Sequence, residues 1–223
     1  MTAPRLFLFD VDGTLVDSQN AIVAAMSGAY RRIGVAPPSR RATLSIVGLS
    51  LNEAVARLSP ELGAADQAAV VEGYRQTYVD MRNAGEETAP LYDGVRELLL
   101  TLNQTPENLL GVATGKARRG LDHVIAVQDL GGLFVTLQTA DFHPSKPHPA
   151  MIAAAMAEAG TDAGTTVMIG DTTFDMDMAA AAGCMAIGVT WGYHPADALR
   201  GAGAAHVVDT VAELHATLSN WSS

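Results

Sequence analysis

Short apolar runs alternate with Ala-rich helical patterns along this chain, and that alternation narrows the available folds more than any other feature. Strands are expected at residues 6–9, 109–113, 133–138, 167–169, 185–189 and 206–208. Between them, apolar spacing predicts helices at 94–103, 118–128, 150–159, 174–182, 196–200 and 211–219. Such a succession implies an α/β protein with a doubly wound, Rossmann-like parallel sheet. The run Leu6-Phe7-Leu8-Phe9 suits it, because a strand covered on both faces is apolar at consecutive positions. Ligands of these sheets gather beyond the carboxyl ends of the strands.

One interval breaks the alternation. Residues 17–85 carry no strand pattern, only helical ones at 19–33, 51–58 and 66–81. Leu91-Tyr92-Asp93-Gly94 then reopens the α/β pattern, with Asp93 placed as an N-cap. The expected organisation is an α/β core of residues 1–16 and 86–223, with an inserted all-helical cap domain of residues 17–85. Both connections lie beside the end of the first strand, so the insert is placed to cover it.

That strand runs into Asp10-Val11-Asp12-Gly13-Thr14. If strand geometry holds, the i, i+2 spacing points Asp10 and Asp12 the same way, where they repel unless a cation or proton is shared. A simple Asp-Gly turn is the plainer alternative. At the end of the next strand, Thr114 is placed either to donate to a phosphoryl oxygen or to cap the following helix, and Gly115 allows close backbone approach. Lys116 reads equally as a ligand and as a solvated cation in a first helical turn. In Ser145-Lys146-Pro147-His148-Pro149, Lys146 is a candidate counter-charge for a carboxylate and a phosphoryl group. His148 reads as a helix-start residue, and His143 as a loop residue able to line the cleft entrance. In Val167-Met168-Ile169-Gly170-Asp171-Thr172-Thr173-Phe174-Asp175, Asp171 suits direct ligation of a hard cation such as Mg2+. Asp175 would hold metal-bound water or orient Lys146, or serve as a first-turn helix acid. Asp177 reads as surface.

A formal net charge of −10 without a Lys/Arg block argues against nucleic acid or an anionic membrane as partner. Cys184, the single cysteine, rules out an internal disulfide and a cysteine-based zinc site. No apolar stretch reaches the roughly 20 residues that span a bilayer, and a cytoplasmic location is expected.

With these motifs in this order, the chain resembles the haloacid-dehalogenase-like (HAD) superfamily of hydrolases. Asp10 to Thr14 match motif I, Thr114 motif II, Lys146 motif III, and Gly170-Asp171 through Asp175 motif IV. The insert, its Gly48-Leu49-Ser50-Leu51 loop, Lys146-Pro147-His148-Pro149 and Trp191-Gly192-Tyr193-His194-Pro195 are similar to the phosphoglycolate-phosphatase-like branch with a helical C1 cap. The resemblance implies that Asp10 attacks phosphorus and Asp12 acts as acid and then base. It also implies Mg2+ held by Asp10, the Asp12 backbone carbonyl and Asp171, with Thr114 and Lys146 on the transferring oxygens. Gly13, Thr14, Gly48 and Gly115 are then substrate-binding positions, and Asp175 supports the metal ligands from behind. Of the insert's arginines, Arg40, Arg41 and Arg57 are expected to be solvated, with one of them available to a substrate carboxylate. The implied partner is a small phosphorylated metabolite, and the chain a monomer or homodimer. A sugar phosphomutase and a catalytically idle binding module are the alternatives on this fold. A dehalogenase resembles the chain less, since it needs neither Asp12 nor a metal.

Overall fold

The computed structural model describes residues 3–85 and 89–221, so the expected domain boundary at residue 86 lies outside the described residues. Six strands form one parallel sheet: β1 (Arg5–Phe9), β2 (Asn108–Thr114), β3 (Thr136–Thr139), β4 (Thr166–Gly170), β5 (Met185–Val189) and β6 (His206–Val208). Their order is β3-β2-β1-β4-β5-β6, with β1 bonded to β2 on one side and β4 on the other. The chain winds outward from this centre in both directions, which leaves a crevice beyond β1 and β4 where the winding reverses.

The alternation of side chains along β1 divides the core. Phe7 and Phe9 join a cluster with Ile169 and Ile187, covered by α5 (Val95–Leu102), α6 (Arg118–Val127) and α10 (Val211–Asn220). Leu6 and Leu8 face the other way, onto Met168, Ala186 and the helices α7 (Ala150–Ala159), α8 (Thr173–Ala182) and α9 (Ala196–Gly201). All four of these strand residues are fully buried, as a strand sandwiched between helical layers requires.

Among the described residues, the interval between β1 and α5 holds only helices: α1 (Gln19–Arg32), α2 (Arg40–Leu44), α3 (Leu51–Leu58) and α4 (Ala64–Asn83). They have their own buried cluster of Met26, Ala29, Tyr30, Val55, Val70 and Val71. α1 and α4 approach closely at Gly73, where an added side chain would meet Ala29. The Tyr30 hydroxyl finds Ser59 Oγ at 2.7 Å, as a buried phenol should. The two connections run side by side: Asp17 N donates to the Pro90 carbonyl at 2.8 Å and Tyr92 N to the Leu15 carbonyl at 3.0 Å.

Two local expectations need correction, and one helix was not expected. β3 begins at Thr136 rather than at 133, because Leu133 and Phe134 reach the core from a loop ahead of the edge strand. Asp93 is not the N-cap of α5; Gly94 holds that place at φ +82°, a left-handed turn no aspartate side chain bridges. Finally α2, capped by Ser39 Oγ accepting from Ala42 N at 3.2 Å, is too short to show a period. No described helix is long and apolar enough to cross a membrane.

Candidate active site

β1 ends at Phe9, so Asp10 and Asp12 leave the sheet on a turn. Val11 closes that turn by accepting from Leu15 N at 2.9 Å and Val16 N at 3.0 Å. The two carboxylates line the same cavity but take different partners. Asp10 turns under the sheet edge. Both of its oxygens are buried and neither receives a hydrogen bond among the described residues. Lys146 Nζ lies 3.0 Å from Asp10 Oδ1 as an ion pair and donates to Asp175 Oδ1 at 2.6 Å.

Burial, the largest influence, pushes the Asp10 carboxyl up to about 6; Lys146 opposes this, while Asp175 and Asp12 add to it. Burial works against the Lys146 charge, but its two acidic neighbours more than compensate and hold it above the ordinary lysine range. Asp171 is pushed well up, by burial first and then by Asp10 and Asp175. Thr14 Oγ1 donates to Asp171 Oδ1 at 2.8 Å and Tyr193 N to Oδ2 at 2.9 Å, which partly relieves it.

Asp10, Asp171 and Asp175 bring one oxygen each to within 4.8 Å of one another, all buried. Three acids so placed, with the Lys146 ammonium as their one nearby cation among the described residues, fit a hard divalent cation. Asp175 also accepts from Thr172 N at 3.1 Å and Thr172 Oγ1 at 2.7 Å, so it caps α8 while orienting Lys146. Gly13, at φ +91°, lies so close to Asp171 and Tyr193 that any side chain there would collide with both.

Asp12 has a separate set of partners. Its Oδ1 accepts from Ser18 Oγ at 2.6 Å, and Lys116 Nζ sits 2.8 Å from both its oxygens. Ser18 has one proton and gives it to Asp12, so the Tyr193 hydroxyl, 3.1 Å away, is the donor to Ser18. Lys116 lies before α6 and is nearly buried, neither solvated nor in a first turn. Thr114 ends β2, with its Oγ1 accepting from Lys116 N at 3.2 Å; the N-cap of α6 is Ala117, so Thr114 does not cap. Gly115 faces the backbone of Gly48 and Leu49 with no room for a Cβ.

Above these residues opens a cavity of about 600 Å3 between the strand ends and the helices of residues 19–83. Asp10, Asp12, Gly48, Thr114 and Gly115 line it. Lys146, Asp171 and Asp175 lie buried behind that lining, and Gly13 and Thr14 pack on Asp171 instead of facing the cavity. His143, expected at the cleft entrance, is drawn aside by Gln138 Oε1 at 2.7 Å. His148 Nδ1 accepts from Ala150 N at 3.2 Å, at the helix start. Arg40 reaches Gln19 and Asn20, Arg57 pairs with Glu53, Arg41 is exposed, and none of the three lines the cavity. Tyr74, Tyr78 and Arg82 of α4 do. Their spacing of four residues puts them on one helix face, a signal present in the sequence but not used.

Known proteins are similar to this chain in sequence and fold. A family model described as "Haloacid dehalogenase-like hydrolase" matches residues 7–189. A "Probable phosphatase IndB" of Dickeya dadantii is 38% identical over 98% of this chain and 96% of its own. A "Phosphoglycolate phosphatase" of Pseudomonas putida is 30% identical over 86% of this chain and 72% of its own. The crystal structure of a predicted phosphatase from Clostridium acetobutylicum superposes with a TM-score of 0.87 at 25% identity, covering 99% of this chain and 100% of that one.

Proposed function

The chain belongs to the haloacid dehalogenase-like hydrolase family, and from that premise we propose that it is a Mg2+-dependent phosphatase acting on a small phosphorylated metabolite through an aspartyl-phosphate. One observation carries this reading. Asp10 is a buried carboxylate with neither oxygen hydrogen-bonded, beside Asp171 and within an ion pair of Lys146. A purely structural acid would have its oxygens satisfied by donors.

In the first step an Asp10 oxygen attacks phosphorus in line and the bond to the alcohol oxygen breaks. Asp12 enters this step in its protonated form and gives that proton to the departing alkoxide, leaving the carboxylate that acts in the second step. In the second step Asp12 takes a proton from water, whose oxygen attacks phosphorus, releasing inorganic phosphate and restoring Asp10. Lys146, and the Thr114 hydroxyl beside it in role, hold the non-bridging oxygens and stabilise their charge. Asp10, Asp171 and the Asp12 backbone carbonyl would hold Mg2+, which would supply charge neutralisation between nucleophile and phosphate. Ser18 and Lys116 fix the Asp12 carboxylate on the leaving-group side. Residues 17–85 act as the cap that excludes bulk water.

The test is phosphate release from p-nitrophenyl phosphate. The parent protein is expected to hydrolyse it with Mg2+ and to stop when the cation is chelated. Asp10→Asn is expected to abolish turnover while keeping its circular dichroism spectrum. Equal rates in variant and parent would remove Asp10 as the nucleophile.

A further inference from the structure

The cavity is larger and more aromatic than release of a two-carbon acid requires. Its volume of about 600 Å3 lies in the range of pockets that enclose drug-sized ligands. With Asp10 as nucleophile and Asp12 as proton donor, the leaving group sits on the Asp12 side. There Lys116 Nζ is held 2.8 Å from both Asp12 oxygens, and the Tyr78 ring stands over it with its centroid 5.7 Å away. Tyr74, one turn back on α4, has its ring centroid 5.2 Å from that of Tyr78, the planes inclined at 49°. Ile22 and Met26 of α1 add an apolar wall to the same space.

A glycolate leaving group would bring a carboxylate into that space. Lys116 is already engaged by Asp12, and Ile22 and Met26 offer no donor, so a small carboxylate here depends on Arg75, Arg82 or Arg119 and leaves the apolar and aromatic walls unused. A flat ring meets aromatic faces on α4 and an apolar wall on α1, the surroundings in which ring contacts stabilise most. Arg75, Arg82 and Arg119 also line the cavity; their planar cations stack on a ring or pair with an anionic substituent on it.

We propose that the cavity selects phosphate monoesters whose alcohol carries a flat, unsaturated ring, read by Tyr78 and Tyr74. This deepens, and rests on, the phosphatase reading above. The test compares steady-state phosphate release from benzyl phosphate, ethyl phosphate and phosphoglycolate with Mg2+. All three release a primary alkoxide, so binding of the organic part dominates the difference. In the parent protein kcat/KM for benzyl phosphate is expected to exceed the other two by about tenfold or more, as ring stacking plus apolar burial implies. Tyr78→Ala is expected to narrow that ratio to about twofold, and Tyr78→Phe to retain it, since a phenyl face stacks as well.

Turnover of phosphoglycolate or ethyl phosphate at or above the benzyl rate keeps the phosphatase reading and overturns the ring preference. So does a Tyr78→Ala variant that lowers all three rates in proportion. Release from none of the three esters removes the phosphatase reading and the ring preference together. Should Tyr78→Ala fail to fold, the comparison in the parent protein decides alone.

Discussion

Burial raises the Asp10 carboxyl from an ordinary 3.8 to about 6, so the folded chain favours its protonated form. The associated stability is fully present below about pH 4 and lost as pH rises through about 6, roughly 3 kcal/mol by linkage. A cation held by Asp10 and Asp171 would offset that loss where both are ionised. Millimolar Mg2+ is therefore expected to raise Tm clearly at pH 7.5 and little at pH 5, where protons compete; differential scanning fluorimetry at both values checks it. Equal shifts would mean that the cation binds elsewhere. Lys146 stands between Asp10 and Asp175 with no exposure, so Lys146→Met leaves two buried acids without a counter-charge. Urea unfolding is expected to show a loss of about 3–5 kcal/mol. At this scale much was legible: Asp10, Asp12, Thr114, Lys146 and Asp171 each follow an apolar run or a turn that the sequence displays. Lys116 stays open between ligand and solvated cation in the sequence and Tyr193 has no role there, because Lys116 meets Asp12 across 104 residues and Tyr193 meets Ser18 across 175. Ser18, six residues from Asp12, lay near enough to be weighed and was not.

Elements decide how near those residues come to one another. β1 feeds its turn into the crevice because both neighbours reach the same level, Phe9 pairing with Val112 and with Ile169. On the opposite wall, the Gly48 loop is held by small contacts: Ser50 N donates to Ser145 Oγ at 2.9 Å, next to Lys146. His194 Nδ1 accepts from Thr173 N at 3.1 Å, so its Nε2 carries the proton and donates to the Ser45 carbonyl at 3.3 Å. Gly115 packs on the Gly48 and Leu49 backbone, and Gly115→Ala would wedge the loop from the strand ends. Since misplacement on the order of 1 Å costs about 100-fold, kcat/KM is expected to fall at least about tenfold. Melting curves beside the kinetics should show the sheet intact, with Tm moved by only a few degrees. The helices flanking the sheet were legible from their period. The roll of α4 that turns Tyr74 and Tyr78 into the cavity was not, because it depends on the close approach of Gly73 to Ala29.

The molecule as a whole has unequal depth. The sheet is covered on both faces by large clusters, whereas the helices of residues 19–83 share one smaller cluster around Tyr30. Opening of those helices should cost less than global unfolding. Native-state hydrogen exchange is expected to give the amides of β1 and β4 the slowest rates and those of α3 markedly faster ones. Uniform protection across both would remove this distinction. The sheet order has a further consequence, in time rather than in space. β1 is made first, yet it lies between strands that begin at Asn108 and Thr166, and Asp171 and Tyr193 come later still. At ordinary rates of synthesis Asp10 waits on the order of ten seconds for the second strand beside β1. A nascent chain thus carries Asp10 long before it has a site, and that site is not assembled until Asp171 and Tyr193 have followed.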